Sequence, residues 1–150
     1  MAALQFYNNC PSTSLAATTA TTVLGISTAT NQRAKVLGYG FYFDGTLNSA
    51  QPVQLIIGAF TSGAAFSSTA VVKVEPELTE TVQTKPYQWK SGQTEGTYTA
   101  FKTLTVHPQL GYEYLAPLGQ EDIVAGGTQF GFQANAPATV NIRGYMKVEE

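Results

Sequence analysis

The feature that most constrains this chain is a two-residue hydrophobic period that keeps returning, while a helical period never establishes itself. Residues 138–148 (ATVNIRGYMKV) alternate most cleanly, with Val140, Ile142, Met146 and Val148 on one face and Thr139, Asn141, Arg143 and Lys147 on the other. Successive side chains of a strand point to opposite sides, so this pattern predicts a strand with one buried face. Residues 33–43 (RAKVLGYGFYF) alternate too, placing Leu37, Tyr39, Phe41 and Phe43 on one face and Val36, Gly38, Gly40 and Tyr42 on the other. Two interior glycines there signal a bulge or a close approach of other groups to the backbone. Nowhere do apolar residues recur at i, i+3, i+4 and i+7 over three turns.

Turn residues divide the rest into short pieces. Strands are predicted over residues 21–27, 52–60, 70–74, 99–106, 111–116, 122–125 and 128–134, with Phe130 and Phe132 inward in the last of these. Asp44-Gly45, Glu75-Pro76, His107-Pro108 and Gly126-Gly127 punctuate them. Gly63–Ser68 reads as a small-residue loop. Eight or nine short strands without crossover helices predict an all-β, antiparallel β-sandwich, jelly-roll-like in preference to immunoglobulin-like. The expected organisation is an extended N-terminal arm over residues 1–20, uncharged and Thr-rich toward its end, followed by one sandwich domain over residues 21–150. The stretch 77–97 is longer than ordinary connections, so it is either a functional excursion or conceals a further strand.

Charge argues about function. Only 12% of residues are charged, against about 25% in an ordinary soluble domain. The exterior is therefore rich in hydroxyls and amides, which cost less to cover than ammonium or carboxylate groups. A net charge of −2, with Lys and Arg scattered, excludes a nucleic-acid footprint. No segment approaches the roughly 18 apolar residues of a membrane helix, and the N-terminal residues show no signal-peptide pattern, so synthesis in a cytoplasm is expected.

Reactive chemistry is sparse. His107 is the one histidine and Cys10 the one cysteine. They cannot supply four N or S ligands for zinc, and no G-x-S-x-G elbow accompanies His107. Glu75, Glu77 and Glu80 and the pair Glu121-Asp122 read as solvated loop charges, Glu149-Glu150 as a solubilising tail, and no calcium-binding loop motif surrounds them. No catalytic residue, metal, cofactor or small-molecule substrate is assigned, and an enzyme is not expected. Cys10 reads as a small side chain in the arm, with an inter-subunit bridge or reactive thiol as the alternative. Binding remains. Phe6 and Tyr7 near the arm's tip, and Tyr87 and Trp89 in the long polar stretch, are the candidate partner-binding residues, since Trp and Tyr dominate interface energetics. Tyr87 and Trp89, with Tyr98 beside them, equally suit stacking on sugar rings, and Trp89 equally suits capping one end of the core.

The second half of the chain resembles the capsid decoration, or cement, proteins of tailed bacteriophages. The resemblance lies in LAPLGQE at residues 115–121 and in GGTQFGFQANAPATVNIRGYMKVEE from Gly126 to Glu150, with GFYFDG ending at Gly45 adding to it. It implies a jelly-roll-like virion protein on the outer surface of a head, a homotrimer stapling neighbouring major capsid subunits. Residues 1–20 lie outside the resemblance; they are expected to order only on assembly and to add a strand to a neighbour's sheet. The alternative is a carbohydrate- or receptor-binding sandwich module of a phage tail or bacterial surface.

Overall fold

The computed structural model describes residues 3–44, 51–62, 67–88 and 97–150. Among these residues the chain forms twelve strands and no helix. In chain order they are β1 (Gln5–Leu15), β2 (Thr21–Ser27), β3 (Ala34–Asp44), β4 (Val53–Ser62), β5 (Ser67–Ser68) and β6 (Val72–Lys73). There follow β7 (Lys85–Gln88), β8 (Thr97–Val106), β9 (Tyr112–Leu115), β10 (Asp122–Val124), β11 (Gln129–Asn135) and β12 (Val140–Glu149). The nine strands expected from alternation are all present. Three more are added: β1 in the supposed arm, β5 in the supposed loop and β7 inside the long polar stretch.

Two antiparallel sheets pack as a sandwich. The first has the order β10-β3-β12-β1-β6, with β9 also pairing with β3, and the second β5-β7-β2-β11-β4-β8. Leaving aside the short β5, β6, β7 and β10, the sheets read β1-β12-β3-β9 and β2-β11-β4-β8. That is jelly-roll order, two four-stranded sheets between which the chain passes repeatedly. Aromatic rings join the layers: Phe132 of the second sheet lies 4.6 Å from Tyr39 and 5.1 Å from Phe41 of the first, centroid to centroid.

The division at residue 20 does not hold. Residues 5–15 form a strand between β12 and β6, and Phe6 and Leu15 are wholly buried. Phe6 pairs with Val148, and Leu4 and Glu150 exchange backbone hydrogen bonds of 3.0 Å in both directions. The two ends of the chain are thus partners in one sheet. The physical reason lies in alternation that the sequence half conceals. Phe6, Asn8 and Cys10 face inward at even positions, and a register shift between Cys10 and Thr13 then turns Leu15 inward at an odd one. Pro11 falls within that shift, where its missing N–H does least harm to a ladder.

A second bulge corrects the facing of β3. Val36 pairs with Val148 while Gly38 pairs with Lys147, leaving Leu37 without a partner on β12. One extra residue reverses the period, so Val36 points inward together with Tyr39 and Phe41, and Leu37 moves toward the surface. The glycines make room for rings. A Cβ on Gly40 would lie 2.6 Å from the Tyr145 ring, and one on Gly144 would lie 2.7 Å from the Phe41 ring.

One polar side chain sits in the middle of this apolar interior. Asn8 is fully buried, and its Nδ2 donates to the carbonyls of Gly25 and Tyr87 at 2.9 Å each, while its Oδ1 accepts from Thr69 Oγ1 at 3.0 Å. A residue of the first sheet thereby holds β2, β7 and the segment after β5. Replacing it leaves buried groups unpaired, at about 1–3 kcal/mol each. Asn8→Ala is therefore expected to lower the unfolding free energy by about 2–4 kcal/mol in a urea titration followed by circular dichroism. Removing residues 1–15 is expected to abolish the cooperative transition altogether, because it takes a central strand from the sheet.

Candidate partner-binding surface

Among the described residues, the sequence-predicted binding residues Phe6, Tyr7 and Tyr87 do not share a surface. Phe6 belongs to the core and is corrected from a contact residue to a packing one; its inward position on β1 follows from the pairing with Val148. Tyr7, one residue on, takes the opposite, outer face of the first sheet. Tyr87 is half-buried on β7 of the second sheet, and Trp89 lies outside the described residues. Tyr98 is an anchor: its hydroxyl donates to the carbonyl of Ile56 at 3.0 Å and to that of Gly131 at 2.6 Å.

On the outer face of the first sheet, Tyr7 meets Tyr145 edge to face at 6.0 Å. The Tyr145 hydroxyl donates to Glu113 of β9, and the Tyr42 hydroxyl donates to the same carboxylate at 3.3 Å. Lys147 Nζ lies 6.0 Å over the Tyr7 ring. Beside this row, Glu149 pairs with Lys35 at 3.3 Å and accepts from Gln5 Nε2 at 3.1 Å. Glu150 accepts from the backbone amides of Gln83 and Thr84 at 2.7 and 2.8 Å. The C-terminal glutamates expected as a solubilising tail are instead ties between strands and loops.

A different part of the molecule presents apolar groups to water. At the β9–β10 edge of the first sheet, Leu115 is 75% exposed, Leu118 97% and Ile123 66%. Their positions follow from local structure. Leu115 pairs with Gly38 and Ile123 with Lys35, so both flank β3 where it bulges at Leu37. Between them Ala116 donates to the Leu37 carbonyl at 2.8 Å, and Gln120 closes a turn on the Pro117 carbonyl at 2.9 Å. Gly119 takes a φ of 83°, open to glycine at little cost, and the turn lifts Leu118 clear of the sheet. Leu37, Leu115 and Leu118 line a depression of 290 Å³ together with Lys35, Glu121 and Lys147. The Glu121 carboxylate accepts from the Gly119 amide at 3.0 Å, which holds its pKa below the usual carboxylate range. An apolar floor within a rim carrying both signs of charge is the composition of a protein interface.

Sequence reasoning named none of these leucines as contact residues. The signal was available: a leucine inside a Pro-x-Gly turn has no alternating neighbours and no face to bury.

His107 follows the last residue of β8, and its Nδ1 accepts from the Gln109 amide at 3.3 Å. Among the described residues no group of three or more His, Cys, Asp and Glu side chains is arranged to hold a metal ion. Cys10 is buried in β1 beside the Pro11 carbonyl and Thr13, and burial pushes its thiol pKa up. The thiol is free and buried within β1, not carried on an extended arm. Comparison with protein-family models, with curated proteins and with solved structures finds no match to this chain.

Two measurements check these assignments. Cys10 is expected to resist a thiol reagent at neutral pH in the native protein and to react fully in denaturant. Burial raises the pKa values of Tyr39, Tyr98 and Tyr145, with neighbouring Glu113 adding to the effect at Tyr145. An unfolded tyrosine ionises near about 10. Above that pH the unfolded chain releases protons that the fold retains, so stability is intact below it and falls as pH rises. Urea midpoints are expected to be level from neutral pH to about 9 and to drop beyond about 10, together with the appearance of tyrosinate absorbance on unfolding.

Proposed function

We propose that this chain is a structural virion protein that binds the outside of a tailed-phage head as a homotrimer and cements neighbouring major capsid subunits. The observation that carries the reading is the Leu115–Leu118–Ile123 edge. Two of these large aliphatic side chains, Leu115 and Leu118, stand in water within residues 115–121, the segment whose sequence resembles decoration proteins, and Ile123 stands two residues beyond it. Burying one such side chain contributes about 1.5–3 kcal/mol, so a partner that covers all three gains substantially from a small contact. The charge-poor exterior supports the same role, because little is lost when surrounding hydroxyls and amides are covered. A scaffold built of two sheets is stiff enough to bridge subunits, and several modest contacts per trimer multiply into a high avidity.

The reading is tested by co-sedimentation with purified heads that lack the protein. Leu118→Asp alters a side chain that is almost fully exposed, so the fold is expected to survive. Wild type is expected to pellet with heads. The variant is expected to bind at least tenfold more weakly, with an unchanged circular dichroism spectrum. A trimer mass by light scattering is the accompanying expectation. Wild-type protein that stays in the supernatant at every head concentration contradicts the proposal.

A further inference from the structure

We infer that the free side of strand β8 is a contact between two copies of this chain, paired strand against strand about a twofold axis. Among the described residues the first sheet ends on β6, β9 and β10, and the second on β5 and β8. Four of these are two to four residues long, while β8 runs for ten residues and pairs only with β4. Short edges, prolines and outward lysines are the usual guards against indiscriminate pairing. β8 has no proline, and its one charged residue, Lys102, holds its ammonium 5.3 Å from the Tyr114 ring centroid of the first sheet. The lysine leans toward the other layer and does not guard the edge. Residues 99–103 are all exposed, with Phe101 at 66%.

The geometry of the strand selects its own copy as the partner. Residues opposed in an antiparallel pair lie on the same face of the sheet. A regular strand of ten residues cannot meet its copy over its full length in this way, because positions equidistant from its midpoint fall on opposite faces. β8 is not regular. Ile57 pairs with Lys102 and Gly58 with Ala100, so Phe101 is the extra residue of a bulge at the centre of the strand. Lys102, Leu104 and Val106 share the inner face with the core residues Ile57, Leu55 and Val53. Tyr98 and Ala100 share the outer face with Phe60 and Gly58, the latter opposite Gly131 between the inward Phe130 and Phe132. The bulge therefore reverses the period at the midpoint. Full-length pairing then opposes like faces: Ala100 to Thr103, Thr99 to Leu104 and Tyr98 to Thr105 of the second copy.

Charge agrees with the same register. The axis passes between Phe101 and Lys102, so each Lys102 opposes the other copy's Phe101 and the two ammonium groups are not set directly against each other. The threonines around them cost little to cover. Main-chain hydrogen bonds along the ladder supply the affinity, and a twofold contact needs only one surface that complements itself. The inference goes beyond head binding. A twofold contact doubles the assembly it joins, so a trimer closed elsewhere associates in pairs as concentration rises.

Sedimentation of the full chain over a concentration series, together with disulfide cross-linking, tests the contact. The mass is expected to double between the lowest and the highest concentration. Phe101→Lys sets like charges in direct opposition and is expected to weaken association about tenfold or more, while Phe101→Glu sets a carboxylate against Lys102 and is expected to retain it. Both alter an exposed side chain, and circular dichroism checks the fold; should either prove unfolded, the cross-linking decides. An equimolar mixture of Ala100→Cys and Thr103→Cys chains is expected to cross-link on oxidation. Each variant alone is expected not to, since its equivalent lies three positions away along the ladder, about 10 Å, beyond the roughly 7 Å that a disulfide spans. A mass independent of concentration, equal association of the two Phe101 variants, or cross-linking of either cysteine variant alone as fast as the mixture overturns the inference. Phe101→Lys leaves the leucine edge intact and is expected to pellet with heads like wild type, so either proposal can fail alone.

Discussion

The interaction on which the architecture most depends is the buried amide of Asn8. Apolar side chains between two sheets reward burial but say little about how the layers are aligned, because one aliphatic contact substitutes for another. Asn8 is different. Its three hydrogen bonds have fixed directions and reach two strands of the opposite sheet and the segment after β5. Any sliding of the layers breaks them where no water replaces them. The amide also decides the fate of the N-terminal segment: once Asn8 is inside, β1 lies between β12 and β6, and the chain closes with its two ends paired.

The legibility of the fold follows from the same physics. Strands with one wet face, such as β12, were plain because the period of two is visible wherever a polar residue marks the outside. The two-sheet architecture could be read from those strands together with the missing helical period. The first fifteen residues were obscured because Asn8 and Pro11 look like loop residues, while the bulge at residues 10–13 interrupts the alternation. The same effect misplaced Val36, where a single extra residue at Leu37 reverses the faces of β3. Strands of two to four residues, β5 and β7, are too short to show any period. For the site, composition pointed to aromatic residues near polar loops. One of them, Phe6, proved to be core, and the exposed apolar groups came from a turn that alternation cannot describe.

Those two lessons bear on function together. The molecule buries many of its aromatic residues, as in the Tyr39–Phe41–Phe132 contacts and the Tyr98 anchor, and presents Leu115, Leu118 and Ile123 together at the β9–β10 edge of the first sheet. The short strands β9 and β10 there share β3 as a common partner and leave a Pro-Leu-Gly turn between them. A shape of this kind offers a partner a small apolar projection on a stiff support, without a long free strand that would invite indiscriminate pairing.

The central claim, that the β9–β10 edge is where the chain meets a capsid surface, is tested most directly by hydrogen–deuterium exchange of the protein free and bound to heads. The account predicts that amides in residues 115–123 exchange more slowly on the head while those in residues 27–31 and 97–106 keep their free rates. Unchanged exchange across 115–123, with slowing elsewhere, would contradict it.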